Sequence, residues 1–148
     1  MNFTSKEEYG LRAVIHLAMH ESAWPVQTRE IAATEGIPEQ FLEQVLAALR
    51  RAGIVRSIRG ASGGYELANS PRNITAGDVL RALSGPIAPI TCIDESTDRS
   101  DNIGRRVVVN LWQRVQSAIS EVLDGTTVQD MMEESMQQKQ NSSFMMHI

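Results

Sequence analysis

Residues 59–67, RGASGGYEL, place three of the chain's ten glycines within five positions, behind an arginine and ahead of a Tyr-x-Leu alternation. Two kinds of chemistry use such a loop: a cradle for phosphate inside an enzyme, or the tip of a hairpin that touches something large. A P-loop needs Gly-Lys-Ser/Thr leading into a helix, and a dinucleotide fingerprint also opens a helix. Here Ile54-Val55-Arg56-Ser57-Ile58 alternates apolar and polar residues before the loop, Tyr65-Glu66-Leu67 does so after it, and no lysine follows the glycines. Period-two alternation on both flanks predicts a β-hairpin. Gly60, Gly63 and Gly64 then supply turn conformations that other residues adopt only under strain.

Helical signals lie upstream. Thr4-Ser5-Lys6-Glu7 reads as a capping box, followed by Tyr9, Ala13, Val14, Leu17 and Ala18 at helical spacing, which predicts a helix to about Glu21. A short second helix starts with Thr28 as N-cap, turns Ile31 and Ala32 inward and ends at Gly36. Pro38 suits the first turn of a third helix, with Phe41, Leu42, Val45, Leu46 and Leu49 as its apolar stripe and Gly53 at its end. Two helices joined by a short glycine-containing turn form a helix-turn-helix. With a hairpin directly behind, the pattern is a winged helix.

Downstream, Thr75-Ala76-Gly77-Asp78 opens a helix that closes at Ser84-Gly85-Pro86. An irregular acidic stretch with the single cysteine, Cys92, leads into IGRRVVVNLWQRVQSAISEVLDG, where Val108, Leu111, Trp112, Val115, Ile119 and Val122 share one broad face of a helix of about 20 residues. So long an apolar face outside the compact domain calls for a partner surface, and homodimerisation is the economical one. A short last helix is expected from near Thr127, and QQKQNSS suggests a loose tail. The fold class is mainly α with a small β-hairpin. Residues 1–84 form a winged helix-turn-helix DNA-binding domain, 85–102 a loop, 103–136 a dimerisation helix and short terminal helix, and 137–148 a flexible tail.

At 148 residues and 42% hydrophobic composition the chain supports one domain with a core and an appendage. No apolar run reaches a membrane-spanning length and the N-terminus has no signal-peptide core, so a cytoplasmic protein without membrane association is expected. One cysteine forms no internal disulfide, in keeping with a reducing compartment. The net charge of −4 argues against nucleic acid, but its distribution does not. From Gln44 to Tyr65 there are four arginines, Arg50, Arg51, Arg56 and Arg59, and no acid, while residues 73–148 hold ten acids against six bases. Screening confines each field to about 8–10 Å, so a local basic patch can bind phosphates on an acidic protein.

The third helix carries Glu39, Gln40, Glu43 and Gln44 on its first turns, opposite the apolar stripe. Gln pairs with adenine and Glu accepts from cytosine N4 in the major groove, so Gln40, Glu43 and Gln44 are candidates for base readout. Lys6, Thr28, Arg29, Arg50, Arg51 and Arg56 are candidates for phosphate contact. Arg59, with Gly60, Ser62, Gly63 and Gly64, forms a wing tip whose guanidinium suits the negative potential of a minor groove. The alternative from a different class is a winged-helix module that binds protein, which fits the acidic pI. A cysteine-dependent enzyme needs a base beside Cys92, and His16, His20 and His147 are all remote from it in sequence.

The segments TSKEEYGLRA, IPEQFLEQVLAALRRAGIVRSIRGASGGYEL and ITAGDVLRAL together resemble the IscR, NsrR and CymR type of bacterial winged-helix repressors, in register over roughly residues 1–92. The resemblance implies a homodimer on a pseudo-palindromic double-stranded DNA operator, with the third helices in successive major grooves and Arg59 in the minor groove. It also implies that residues 85–102 are a sensor loop, which in many members holds an iron–sulfur cluster on three cysteines. Cys92 matches the first, but Asp98 and Gly104 stand at the spacing of the other two, and Val107 where some members place a histidine. Some relatives add a carboxylate from the partner's first helix, where this chain has Glu8. Three readings of Cys92 therefore stand: a mixed iron–sulfur site of Cys92, Glu8 and Asp98, a thiol sensing oxidation, or a plain free thiol in a regulator that answers to a protein partner. The cofactor is left unknown.

Overall fold

The computed structural model describes residues 4–87 and 102–146. Helix α1 spans Ser5–Met19, a 3₁₀ turn Glu21–Ala23 follows, and α2 (Thr28–Glu35) and α3 (Glu39–Arg51) form the helix-turn-helix. Strands β1 (Val55–Ile58) and β2 (Gly64–Leu67) pair antiparallel with Val55 opposite Leu67 and Ile58 opposite Gly64. After a second 3₁₀ turn, Pro71–Asn73, come α4 (Ala76–Ser84), α5 (Ile103–Gly125) and α6 (Val128–Met146).

Local chemistry sets most boundaries. Thr4 and Glu7 form the expected reciprocal capping box of α1, and Thr75 and Asp78 form another on α4. Gly36 ends α2 in the left-handed region at φ 65°, where a β-carbon would be strained. Thr28 is the first residue of α2 rather than its cap; Gln27 holds that position, and its side chain is used elsewhere, as described below.

The core lies where α1, α2, α3 and α4 meet the base of the hairpin. Leu17, Ile31, Leu42, Leu46 and Leu49 are fully buried, each contributing about 1.5–3 kcal/mol of transfer free energy. Gly10 brings α1 close to α4, because a β-carbon there would run into Leu83. Buried Glu7 also joins these helices, accepting hydrogen bonds from the Ser84 and Thr4 hydroxyls. Burial pushes its carboxyl up, but those two bonds and the backbone amides hold it below the ordinary glutamate value. The resulting stabilisation is complete above the unfolded-state value and is lost as pH falls through the folded one.

His16 is structural. It is buried on α1, with Nδ1 3.0 Å from Glu35 Oε1 on α2, and stacks on His20 at 4.2 Å. The arrangement fastens the end of α2 to α1.

The C-terminal segment departs from expectation. α6 is a helix of 19 residues and runs through 137–146, where a short helix and a flexible tail are expected from the sequence. Gln, Lys, Glu and Met are good helix formers, and this stretch has no glycine or proline to stop it. Hydrogen bonds between Gln129 and Glu133 and between Gln138 and Glu134 support it one turn apart. Its first turns fold back on α1, burying Val128 completely and packing Met131 and Met132 on the core. No helix among the described residues is long and apolar enough to cross a membrane.

Candidate nucleic-acid interface

The amphipathic pattern of α3 decides what it offers to solvent. Leu42, Val45, Leu46 and Leu49 face the core, so Gln40, Glu43 and Gln44, at i, i+3 and i+4, are exposed together on the opposite face. Arg51 lies about two turns beyond Gln44 on the same helix. Lys6 from α1 and Arg51 line one groove with Gln44, floored by Phe41, Val45 and Ala48. The readout candidates therefore lie beside two cations suited to the phosphates at a groove edge.

The wing follows α3 directly and packs against it at β1. Gly60 adopts φ 110°, and the Gly63 amide donates to the Gly60 carbonyl at 3.0 Å, closing the tip. Gly63 is buried: a β-carbon there would strike the Ile58 and Gly60 carbonyls, so its part is to make the turn and not to meet a ligand. Gly64, at φ 152°, lies against the Val26 backbone. Val26 and Tyr65 exchange two backbone hydrogen bonds, 2.9 and 2.7 Å, which adds a third, single-residue strand to the hairpin. Arg59 and Ser62 stand exposed at the tip, and Arg59 has no ion-pair partner among the described residues.

Other candidates are engaged within the protein. Arg56 sits opposite Glu66 in the ladder and pairs with it at 3.0 Å, so its charge is offset by a neighbour within the protein. Arg50 is exposed, with Nη1 3.5 Å from the Ser57 hydroxyl. Thr28 is half-buried at the start of α2, and Arg29 donates to the Gln27 side chain at 3.2 Å. Gln27 in turn reaches the Ala61 carbonyl at 3.5 Å. Sequence reasoning missed Gln27, which links the start of α2 to the wing tip. No periodicity marks it, because its partner is 34 positions away.

The sensor candidates divide. Cys92 and Asp98 lie outside the described residues. Glu8 is exposed on the first turn of α1, 3.8 Å from Arg12. Iron–sulfur clusters are ordinarily held by several thiolates, and this chain has one cysteine. Among the described residues no three of His, Cys, Asp or Glu gather into a metal site. The donor set does not fit a cluster of the three-cysteine kind.

Comparison with known proteins agrees with this geometry. The sequence profile of the Rrf2 family, described as iron-dependent transcriptional regulator, matches residues 3–134. The HTH-type transcriptional regulator CymR of Bacillus subtilis is 40% identical over 131 residues, 88% of this chain and 89% of that one. The solved structure of CymR, the global cysteine regulator of B. subtilis, superposes with a TM-score of 0.77 over 90% of this chain and 98% of the other. The structure of T. potens IscR matches at 0.73 with 36% identity, over 91% and 88% of the two chains. The oxidised form of Staphylococcus aureus CymR matches at 0.70 with 34% identity, over 90% and 97%. A winged helix with an exposed polar recognition face, the family match and these relatives lead to one conclusion: the chain belongs to the Rrf2 family of DNA-binding transcriptional regulators, and it is not an enzyme.

Proposed function

We propose that the protein is a homodimeric repressor that reads a pseudo-palindromic operator with two copies of α3 and inserts Arg59 into the flanking minor grooves. The observation that carries this reading is a winged helix-turn-helix that exposes Gln40, Glu43 and Gln44 together on α3 and holds an exposed arginine at the tip of a glycine-built wing. Lys6, Arg50 and Arg51 supply phosphate contacts around it. The dimer is supported by α5, where Val109 is the one buried residue of 23 while Val107, Val108, Leu111 and Val122 are exposed along one stripe.

Arg59→Ala tests the wing. Operator affinity is expected to fall, the slope of log affinity against log salt to become shallower by about 1, and preference for A·T at the flanking positions to weaken. Equal loss on operator and scrambled DNA reduces Arg59 to a phosphate contact. If wild-type binding is insensitive to salt, the DNA reading gives way to the protein-binding alternative.

The signal is proposed to be thiol oxidation at Cys92, supported by the single-thiolate donor set and by the existence of an oxidised form of S. aureus CymR. Protein purified without oxygen is then expected to be colourless and free of stoichiometric iron. Mild thiol oxidant should change its operator affinity, and Cys92→Ala should abolish that change. Broad absorption between roughly 300 and 500 nm with bound iron and sulfide returns the mixed Cys92, Glu8 and Asp98 site to the front.

A further inference from the structure

The junction between the winged domain and α5 contains a feature that DNA reading does not use. Residues 126–128 form a tight corner between α5 and α6, clipped to the chain entering α4 by two backbone bonds. The Ala76 amide donates to the Thr126 carbonyl and the Val128 amide to the Ile74 carbonyl, each at 2.8 Å. Thr127 and Asp130 close a further capping box there, at 2.9 and 3.0 Å. These bonds fix the corner at one end of α5, and midway along the helix the Gln116 side-chain amide donates to the Ile87 carbonyl at 3.4 Å. Another contact lies on the last turn of α5: Arg81 Nη2 of α4 donates to both oxygens of Asp124, at 2.7 and 2.6 Å. Gly77, one turn before Arg81, makes room for it, because a β-carbon at Gly77 would occupy the position of Asp124 Oδ1. Glycine is a poor helix former, its φ here is not positive, and this close approach is what accounts for it inside α4.

We propose that the Gly77–Arg81–Asp124 contact is a positioning joint that sets the angle at which α5 leaves the winged domain, and thereby the half-site spacing the dimer accepts. The proposal rests on the operator-binding dimer described above. Its leverage comes from length. Twenty-three helical residues span about 35 Å, so a 10° swing at the corner displaces the far end by about 6 Å. That approaches the length of two base-pair steps, against the helical turn of about 34–36 Å that separates half-sites. The pair is exposed at 39% and 45%, so its worth to folding is small; its effect is angular.

The test uses the full-length protein and the tightest paired site it selects from a randomised DNA pool, with one or two base pairs added or removed between the half-sites. Arg81→Asp, which sets three acids together with Asp78 and Asp124, and Gly77→Ala, which displaces the Asp124 carboxylate, are each expected to reduce discrimination between spacings by about three- to tenfold. The reversed pair, Arg81→Asp with Asp124→Arg, is expected to restore it. A contact that merely stabilises the fold would lower the melting temperature and weaken all spacings alike. Single variants that dimerise and discriminate as wild type does overturn the joint, as does a reversed pair that fails to rescue. If Arg81→Asp does not fold, Gly77→Ala decides by the same criterion. A wild-type protein that selects no paired site overturns the dimeric operator reading itself, a result distinct from loss of the joint alone.

Discussion

Leu111→Asp is expected to yield a folded, monomeric protein that no longer recognises its operator. Leu111 is 46% exposed on α5, so an aspartate there meets water in the single chain and leaves the core of the winged domain untouched. In a dimer built on α5 the same residue, beside Val107 and Val108, falls into an apolar seam, where an unpaired carboxylate costs several kcal/mol. The effect on DNA follows from linkage: two half-sites held together bind about 100- to 10,000-fold more tightly than one, and all of that gain goes when the chains separate. Sedimentation should show a monomer, thermal unfolding should be nearly unchanged at matched concentration after allowance for lost dimer stabilisation, and operator affinity should fall by about 100-fold or more. A dimeric Leu111→Asp protein with intact operator binding would place the dimer surface elsewhere.

The second large effect belongs to the wing. Gly64→Ala is expected to destabilise the protein by about 2–4 kcal/mol, combining a strained backbone with overpacking against immovable atoms. The added β-carbon would meet the Val26 carbonyl and the Gln27 nitrogen, which are backbone and cannot rotate away. The hairpin would have to leave Val26, breaking the pair of backbone bonds that Val26 shares with Tyr65. Gly60→Ala is the control. It has φ 110° but nothing within 4 Å of a β-carbon, so it should cost about 1 kcal/mol, the backbone strain alone. Urea unfolding of the two variants separates close approach from strain. If Gly60→Ala and Gly64→Ala are equally mild, the docking of the wing on Val26 contributes little.

These effects differ in how far the sequence announces them. Leu111 belongs to a stripe that repeats every three or four residues, which the order of residues displays by itself. The loop of three glycines was equally plain as a hairpin tip, but the sequence does not say that Gly63 and Gly64 serve the fold while Arg59 and Ser62 are left for a partner. Arg56 counts as one of four arginines in an acid-free run, yet Glu66 lies directly across the ladder and pairs with it. Composition cannot register that, because the pairing depends on the register of two strands. The end of α6 differs for another reason: polarity alone suggests a loose tail, but Gln137–Gln140 favour helix and no glycine or proline interrupts the continuation through Asn141, Ser142 and Ser143.

Residue order alone marks features set by neighbours within about one helical turn or one strand repeat: the capping box at Thr4, the helix start at Thr75, the stop at Gly36, the exposed polar face of α3, the hairpin and the apolar stripe of α5. Each arises from hydrogen bonds and side-chain periodicities that act over three or four positions. The tertiary structure alone decided which of these meet. It set Gly64 against Val26, Gln27 under Ala61, His16 on Glu35, and Asp124 in the space that Gly77 leaves open. Those partners lie between 19 and 47 positions apart, and at such separations contact depends on how whole helices pack, a choice made by summed burial of the core and carried by no local repeat.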